Sequence, residues 1–224
     1  MEKNKINIHE RLYIGIILAV AGGAMDTYTF MLQGEVFASM QSANVLLLGI
    51  NLAKQNFAQV IHYVPPIICF IIGTMLVEHI KVRYSHKFKK IDWQHAILII
   101  EIVLLLIIAV FELNFNQIII NSIISFVAAL QVGTYRKLSG VPFSTTMTTG
   151  NIRTASEYLY YHFCEKGKKH GTKSAKSFLI AIGFFAGALL SASLYFYLNF
   201  SPLYTTIITL IVVLVFTYLF RTKN

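Results

Sequence analysis

Acidic side chains are scarce in this chain: ten Asp and Glu stand against nineteen Lys and Arg in 224 residues. Charge of either sign is thin, at 13% of residues, where soluble chains carry about 25%. So few charges cannot keep a folded domain of this size in water, which excludes an ordinary soluble class. Cysteine is nearly absent. Cys69 lies in an apolar run and Cys164 in a basic loop, so no disulfide framework is expected. His162, Cys164 and His170 share a Lys-rich loop and read as solvated side chains, so neither a metal nor another cofactor is expected. The apolar segments hold no nucleophile–base pair, which argues against an enzyme, including one that modifies lipids.

What is present is apolar. Hydrophobic residues make up 56% of the chain and mean hydropathy is +0.63. Six runs are long enough to cross a hydrocarbon core of about 30 Å: Leu12 to Met31, Ile61 to Ile80, Ala96 to Leu113, Gln117 to Thr134, Ser177 to Leu198 and Tyr204 to Phe220. The first is too long for the apolar core of a signal peptide and is expected to remain as a span. Pro65-Pro66 fall in the first turn of the second run as drawn, where lost amide donors cost least. Gly15, Ala19 and Gly23 in the first run, and Gly183 and Gly187 in the fifth, form small-residue faces for close helix packing. Such faces serve within one chain or between copies, so a homo-oligomer is open.

The cations are sorted by loop. Eighteen of the nineteen Lys and Arg lie before the first run, after the last, or in the loops following the second and fourth; Lys54 alone lies on the other side. Under the positive-inside rule this gives six crossings with both termini cytoplasmic. The net charge of +9 is therefore a topology signal, and no nucleic-acid partner is expected. The partner is the lipid bilayer.

One stretch occurs twice. Gly22 to Ala53 and Ala128 to Leu159 each end an apolar helix on a polar side chain, Asp26 and Gln131. Each passes a Gly-x-x-Phe, Gly34 to Phe37 and Gly140 to Phe143, then a polar cluster ending in Asn44 or Asn151. Matching the two by Phe requires one inserted residue. Three runs precede the second copy, so the halves, 11–113 and 117–220 of a single domain 1–224, should be inverted repeats. The fold class expected is all-α and polytopic, six transmembrane helices in two inverted three-helix repeats.

Ser42 to Lys54 and Thr149 to Tyr161 are each about 13 residues, too short to span. Ser, Thr and Asn favour N-caps, so each segment reads as a short half-helix capped by its Asn, either re-entrant or interfacial. If re-entrant, the two helix starts face each other at the midplane and offer donors to a small polar or anionic solute. Ser42, Asn44, Gln131, Thr149, Gly150 and Asn151 would line that site, with Asp26 in it or bracing it and Arg153 as a counter-charge. Arg153 and Glu157 can instead pair on one exposed helix face. Glu101, deep in the third run, is a candidate for ion coupling or a structural bond. His62 at a span entrance reads as interfacial.

The Asp-bearing Gly-rich first helix, Ser42-Ala43-Asn44, the later Gln-bearing helix and Ser144-Thr-Thr-Met-Thr-Thr-Gly-Asn-Ile-Arg153 together resemble the YoaK-like family of bacterial multi-pass inner-membrane proteins, whose function is unassigned. The resemblance spans nearly the whole chain. It implies a bacterial cytoplasmic membrane and carries the family pattern onto Asp26, Asn44, Gln131, Thr149, Gly150, Asn151 and Arg153. The chain departs from it at Ser42-Ala43-Asn44, where Thr-Gly-Asn is usual. The function expected is a small-solute permease or channel with a midplane site; the alternative is a non-catalytic membrane scaffold.

Overall fold

The computed structural model describes residues 8–84, 93–111, 114–138, 141–165 and 168–220. Gly140 of the repeated motif, Leu113 at the end of the third run, and Lys3, Lys5, Lys87, Lys89, Lys90, Lys166, Arg221 and Lys223 lie outside them. Eight α-helices carry the described fold: α1 (Leu12–Leu32), α2 (Gln41–Ala53), α3 (Phe57–Tyr84), α4 (Trp93–Phe111), α5 (Gln117–Thr134), α6 (Thr148–Glu165), α7 (Lys168–Leu198) and α8 (Pro202–Leu219). Six of these, all but α2 and α6, are long and apolar enough to cross a membrane. Their outer faces expose Ile71, Met75, Val103, Val110, Phe185 and Leu189, among others. A surface so continuously apolar is solvated by lipid. The chain is a multi-pass membrane protein.

Several helix boundaries differ from the hydropathy reading, three of them with a bearing on the loops and Pro65-Pro66. Helix α3 begins at Phe57, so Pro65 and Pro66 sit inside it. Its start is set by Asn56, whose side-chain oxygen accepts from the Gln59 amide at 3.4 Å and whose carbonyl accepts from Gln59 and Val60. Helix α7 begins at Lys168, because its polar first turns pack on α6: the Ser174 hydroxyl donates to the Ala155 carbonyl at 2.8 Å, and the Lys173 ammonium lies 4.9 Å from the Tyr158 ring. Helix α6 runs to Glu165, 18 residues instead of about 13. Polarity, with Arg153, Glu157 and His162 along it, keeps it from being a span; shortness does not.

Helix α1 is the most enclosed span, with 67% of its apolar window buried. It packs on α7 and α8; α5 packs on α3 and α4, and α4 lies against α8. Glycine sets the closest approaches. A Cβ on Gly23 would strike the Phe184 carbonyl of α7 and lie 2.9 Å from the Ala188 amide, and one on Gly187 would strike the Val20 backbone. The small-residue faces of the first and fifth runs are thus spent on each other within the chain. On the α3–α5 pair, Gly73 meets the Phe126 carbonyl and Gly133 meets Val77.

The helix ends sort onto two faces. On one, Tyr13 lies 6.5 Å from Phe216, His9 lies 4.8 Å from His95, and Arg136 reaches Glu78 at 2.6 Å. That face gathers the starts of α1 and α4 with the ends of α3, α5 and α8. On the other, the Asn121 amide donates to the Gln33 carbonyl at 2.7 Å and Gly34 abuts Gln117. Helix α1 stops there because Gly34 takes a left-handed φ of +82°.

Candidate functional site

Two non-helical loops leave these faces and fold back into the bundle. After α1, residues 33–40 run back along the helix they have just left. The Thr29 hydroxyl oxygen accepts from the Ala38 amide at 3.2 Å, and the Phe30 and Phe37 rings stack at 4.9 Å. Asp26 takes the deepest contact. One carboxylate oxygen accepts from the Ser39 amide at 2.9 Å and the other from the Ser39 hydroxyl at 2.6 Å. Both partners are buried, so the carboxylate spends its acceptors on the loop.

The second loop follows α5 and a two-residue antiparallel ladder that pairs Lys137 with Pro142 and Leu138 with Val141. It enters from the opposite face. Phe143 packs among Ala19 and Ile180, and Thr145 and Thr146 then settle on Gly22, the midpoint of α1. A Cβ at Gly22 would stand 2.8 Å from the Thr146 methyl and 3.2 Å from the Thr145 carbonyl. The residue has no side chain because the loop occupies its place. Gly22 and Asp26 are one helical turn apart, about 6 Å along α1 and on the same face. The two loops therefore reach one stripe of α1 from opposite ends.

Each loop is tied to the helix it starts by the same device. The Asn44 side chain accepts from the Phe37 amide at 3.1 Å and donates to the Phe37 carbonyl at 2.7 Å. The Asn151 side chain accepts from the Ser144 amide at 3.2 Å and donates to the Ser144 carbonyl at 2.6 Å. Both reach back seven residues, so the two copies align through Phe37 and Ser144, and the insertion required by matching Phe37 with Phe143 disappears. Neither Asn is a helix cap. Helix α2 begins at Gln41 behind Met40, which makes no side-chain cap bond, and α6 begins at Thr148. Each Asn lies in the fourth helical position, and its amide bonds the backbone seven residues earlier, Asn44 reaching the Gln41 side chain as well.

The remaining expected residues divide. Gln131 is fully buried and donates to the Leu18 carbonyl at 2.8 Å, while its own oxygen has no partner. Ser42, Thr149 and Gly150 are exposed and do not join the convergence. Arg153 is turned outward, its Nε 2.8 Å from Glu157, which holds its guanidinium above its ordinary pKa by hydrogen bond and charge. Its charge is met by Glu157, while Asp26 is bonded to Ser39. Sequence reasoning missed Ser39, Thr145 and Thr146. All three are buried, and the hydroxyls of Thr145, Thr146 and Thr148 have no hydrogen-bond partner in the protein. The available signal was hydroxyl residues between each Phe and its Asn.

This architecture defines a class, a multi-pass helical membrane protein with two polar loops folded against the middle of its most enclosed span. Within that class, the family model for a protein of unknown function, DUF1275, matches residues 14–217, and the chain belongs to that family. No curated protein and no solved structure matches the chain significantly.

Proposed function

We propose that the protein is a permease for a small polar or anionic solute, with its site where the two loops converge on Gly22 and Asp26. The observation that carries this reading is the entry of loops from opposite faces to within one turn of each other on α1. Irregular backbone at membrane depth is tolerated where it is buried in protein or lines a polar path. The loops with α2 and α6 are then re-entrant elements, and the halves are inverted repeats. Exchanging the halves leaves the packing pattern unchanged: α1 on α7 corresponds to α5 on α3, and α1 on α8 to α5 on α4. The paired seven-residue Asn clamps follow the same exchange. The membrane is the bacterial cytoplasmic one, with the face carrying Arg11, Lys81 and Arg136 inward.

Thr145, Thr146 and Ser39 are buried, so the arrangement is an occluded one. The unmet Thr hydroxyls are the groups that would exchange a vacant hydrogen bond for one to solute. The small-residue faces that a scaffold would use for partners are taken up inside the chain.

Swelling of proteoliposomes in isosmotic solutes tests the reading, with urea, glycerol, formate and nitrate as probes. At least one is expected to enter faster than into protein-free liposomes. Thr145→Val with Thr146→Val should slow that entry roughly tenfold, the worth of about one hydrogen bond. Entry no faster than in protein-free liposomes, or full flux in the double variant, overturns it.

A further inference from the structure

The face gathering the starts of α1 and α4 holds a cavity of about 430 Å³, lined by His9, Glu10, Lys81, Trp93, Tyr135 and Arg136 among others. It lies away from the converging loops, and a line of ionisable groups leads inward from it. His9 and Tyr135 line the cavity, with ring centroids 6.1 Å apart, and His95 sits edge-on to His9 at 4.8 Å. All three are buried. Burial first, and the neighbouring Glu101 carboxyl second, push the Tyr135 phenol well above its ordinary pKa, which keeps it a neutral hydroxyl.

Glu101 lies six residues beyond His95 in α4, about 9 Å further along the helix, fully buried, and neither its carboxyl oxygens nor the Tyr135 hydroxyl has a hydrogen-bond partner in the protein. The nearby cations, Lys81 and Arg136, both pair with Glu78 at the cavity rim. Helix α8, on another side of α4, turns Tyr204 and Tyr218 outward. An ionised carboxylate without partners is among the costliest groups an interior can hold, and a bound proton removes that cost. A Gln would fill the same space without charge. Charge chemistry distinguishes Glu here, and the only ligand it needs room for is a proton.

We propose that Glu101 is a proton-binding carboxyl that exchanges with the cavity through Tyr135 and the His9–His95 pair. Each transfer breaks one N–H or O–H bond and forms one O–H or N–H bond. Water in the cavity gives a proton to an imidazole and the imidazole gives one to the phenol oxygen; the phenol proton passes to Glu101 when the two side chains, not bonded to each other at rest, rotate into contact, and release runs in reverse. The site is separate from the loops and does not rest on the solute reading.

Infrared difference spectroscopy on the full chain in lipid bilayers, exchanged from H2O into D2O, tests this without any solute. A protonated-carboxyl carbonyl band is expected to shift on deuteration and to be missing in Glu101→Gln, a near-isosteric change that adds no buried charge. Tyr135→Phe and His95→Gln should retain the band and slow its deuteration at least roughly tenfold, as expected when one relay group is removed. Persistence of the band in Glu101→Gln, absence of any such band, or unchanged exchange in both relay variants overturns the proposal. The outcome is independent of liposome swelling, so either proposal can fail alone.

Discussion

The two loops enter the bundle in the same way and are fastened very differently. The first is held by Asp26 through both oxygens, by Thr29 and by a stacked Phe pair, in addition to its Asn clamp. The second has its Asn clamp and a Ser144 hydroxyl that accepts from the Met147 amide at 3.1 Å. Its Phe143 amide donates to the Arg136 carbonyl at 3.2 Å and its ring packs among Ala19 and Ile180, but Thr145 and Thr146 rest on bare glycine with their hydroxyls unmet. A buried hydroxyl without a partner costs about 1–3 kcal/mol, and a structural loop has no use for two of them. Under the proposed permease function, the first loop would form the wall of the site and the second the part that moves or reads a guest.

The largest effect expected from breaking this contrast is at Asp26. Alanine there removes two charge-assisted hydrogen bonds and leaves the Ser39 amide and hydroxyl buried without an acceptor, a loss of about 4 kcal/mol. Asp26→Asn keeps one acceptor oxygen and should lose about half as much. Denaturation in detergent, followed by tryptophan fluorescence and circular dichroism, measures both. Wild-type stability in Asp26→Ala would show that the first loop is not held as described.

Next come the matched clamps. Asn44→Ala and Asn151→Ala each strip a donor and an acceptor from one half-buried backbone position, a loss of about 2 kcal/mol. Asn44 also donates to the Gln41 side chain at 3.1 Å, so its variant should be the worse by about 0.5 kcal/mol. Near-equal losses support the equivalence of the halves. A difference of several kcal/mol would break it and make one clamp incidental.

Gly22→Ala acts on the second loop alone. The new methyl must displace the Thr146 side chain and press on the Thr145 carbonyl, costing about 1–2 kcal/mol by overpacking. The first loop, one turn further along α1, should be untouched. Cysteine-labelling rates at Ser39→Cys and Thr145→Cys in a background without Cys69 and Cys164 would register this. A rise at position 145 alone is expected, and an equal rise at 39 would mean the loops move together.

Much of this architecture could be read from the chain. Hydropathy placed the fourth run at Gln117 to Thr134, the observed α5, because an apolar segment in lipid must satisfy its backbone internally and does so as helix. The depth of Asp26 and Glu101 was visible for the same reason. The partners were not. Asn44 beside Ser42 resembles a cap in local pattern, yet its bonds go to Phe37, across a stretch with no helical or strand period. Asp26 meets Ser39, 13 residues on, and Thr145 meets Gly22 from the other half of the chain. Hydrogen bonds closed by such loops leave no periodic trace. The helical extension of α7 to Lys168 was hidden likewise, since a Lys-rich segment becomes helix here by packing on α6.

The smallest change in stability is expected where the change in function is largest. Thr→Val replaces a hydroxyl by a methyl of similar size. At Thr145 and Thr146 no hydrogen bond is lost, because the hydroxyls make none within the protein. The usual penalty of such a swap is therefore absent, and removal of two buried polar groups should leave stability within about 0.5 kcal/mol of wild type or raise it. Ser39→Ala, the corresponding hydroxyl deletion in the first loop, breaks the 2.6 Å bond to Asp26 and should cost about 2 kcal/mol. The sign of this pair separates wall from reader. If the Thr145→Val, Thr146→Val protein unfolds as readily as Ser39→Ala, those hydroxyls support the fold, and the second loop is as structural as the first.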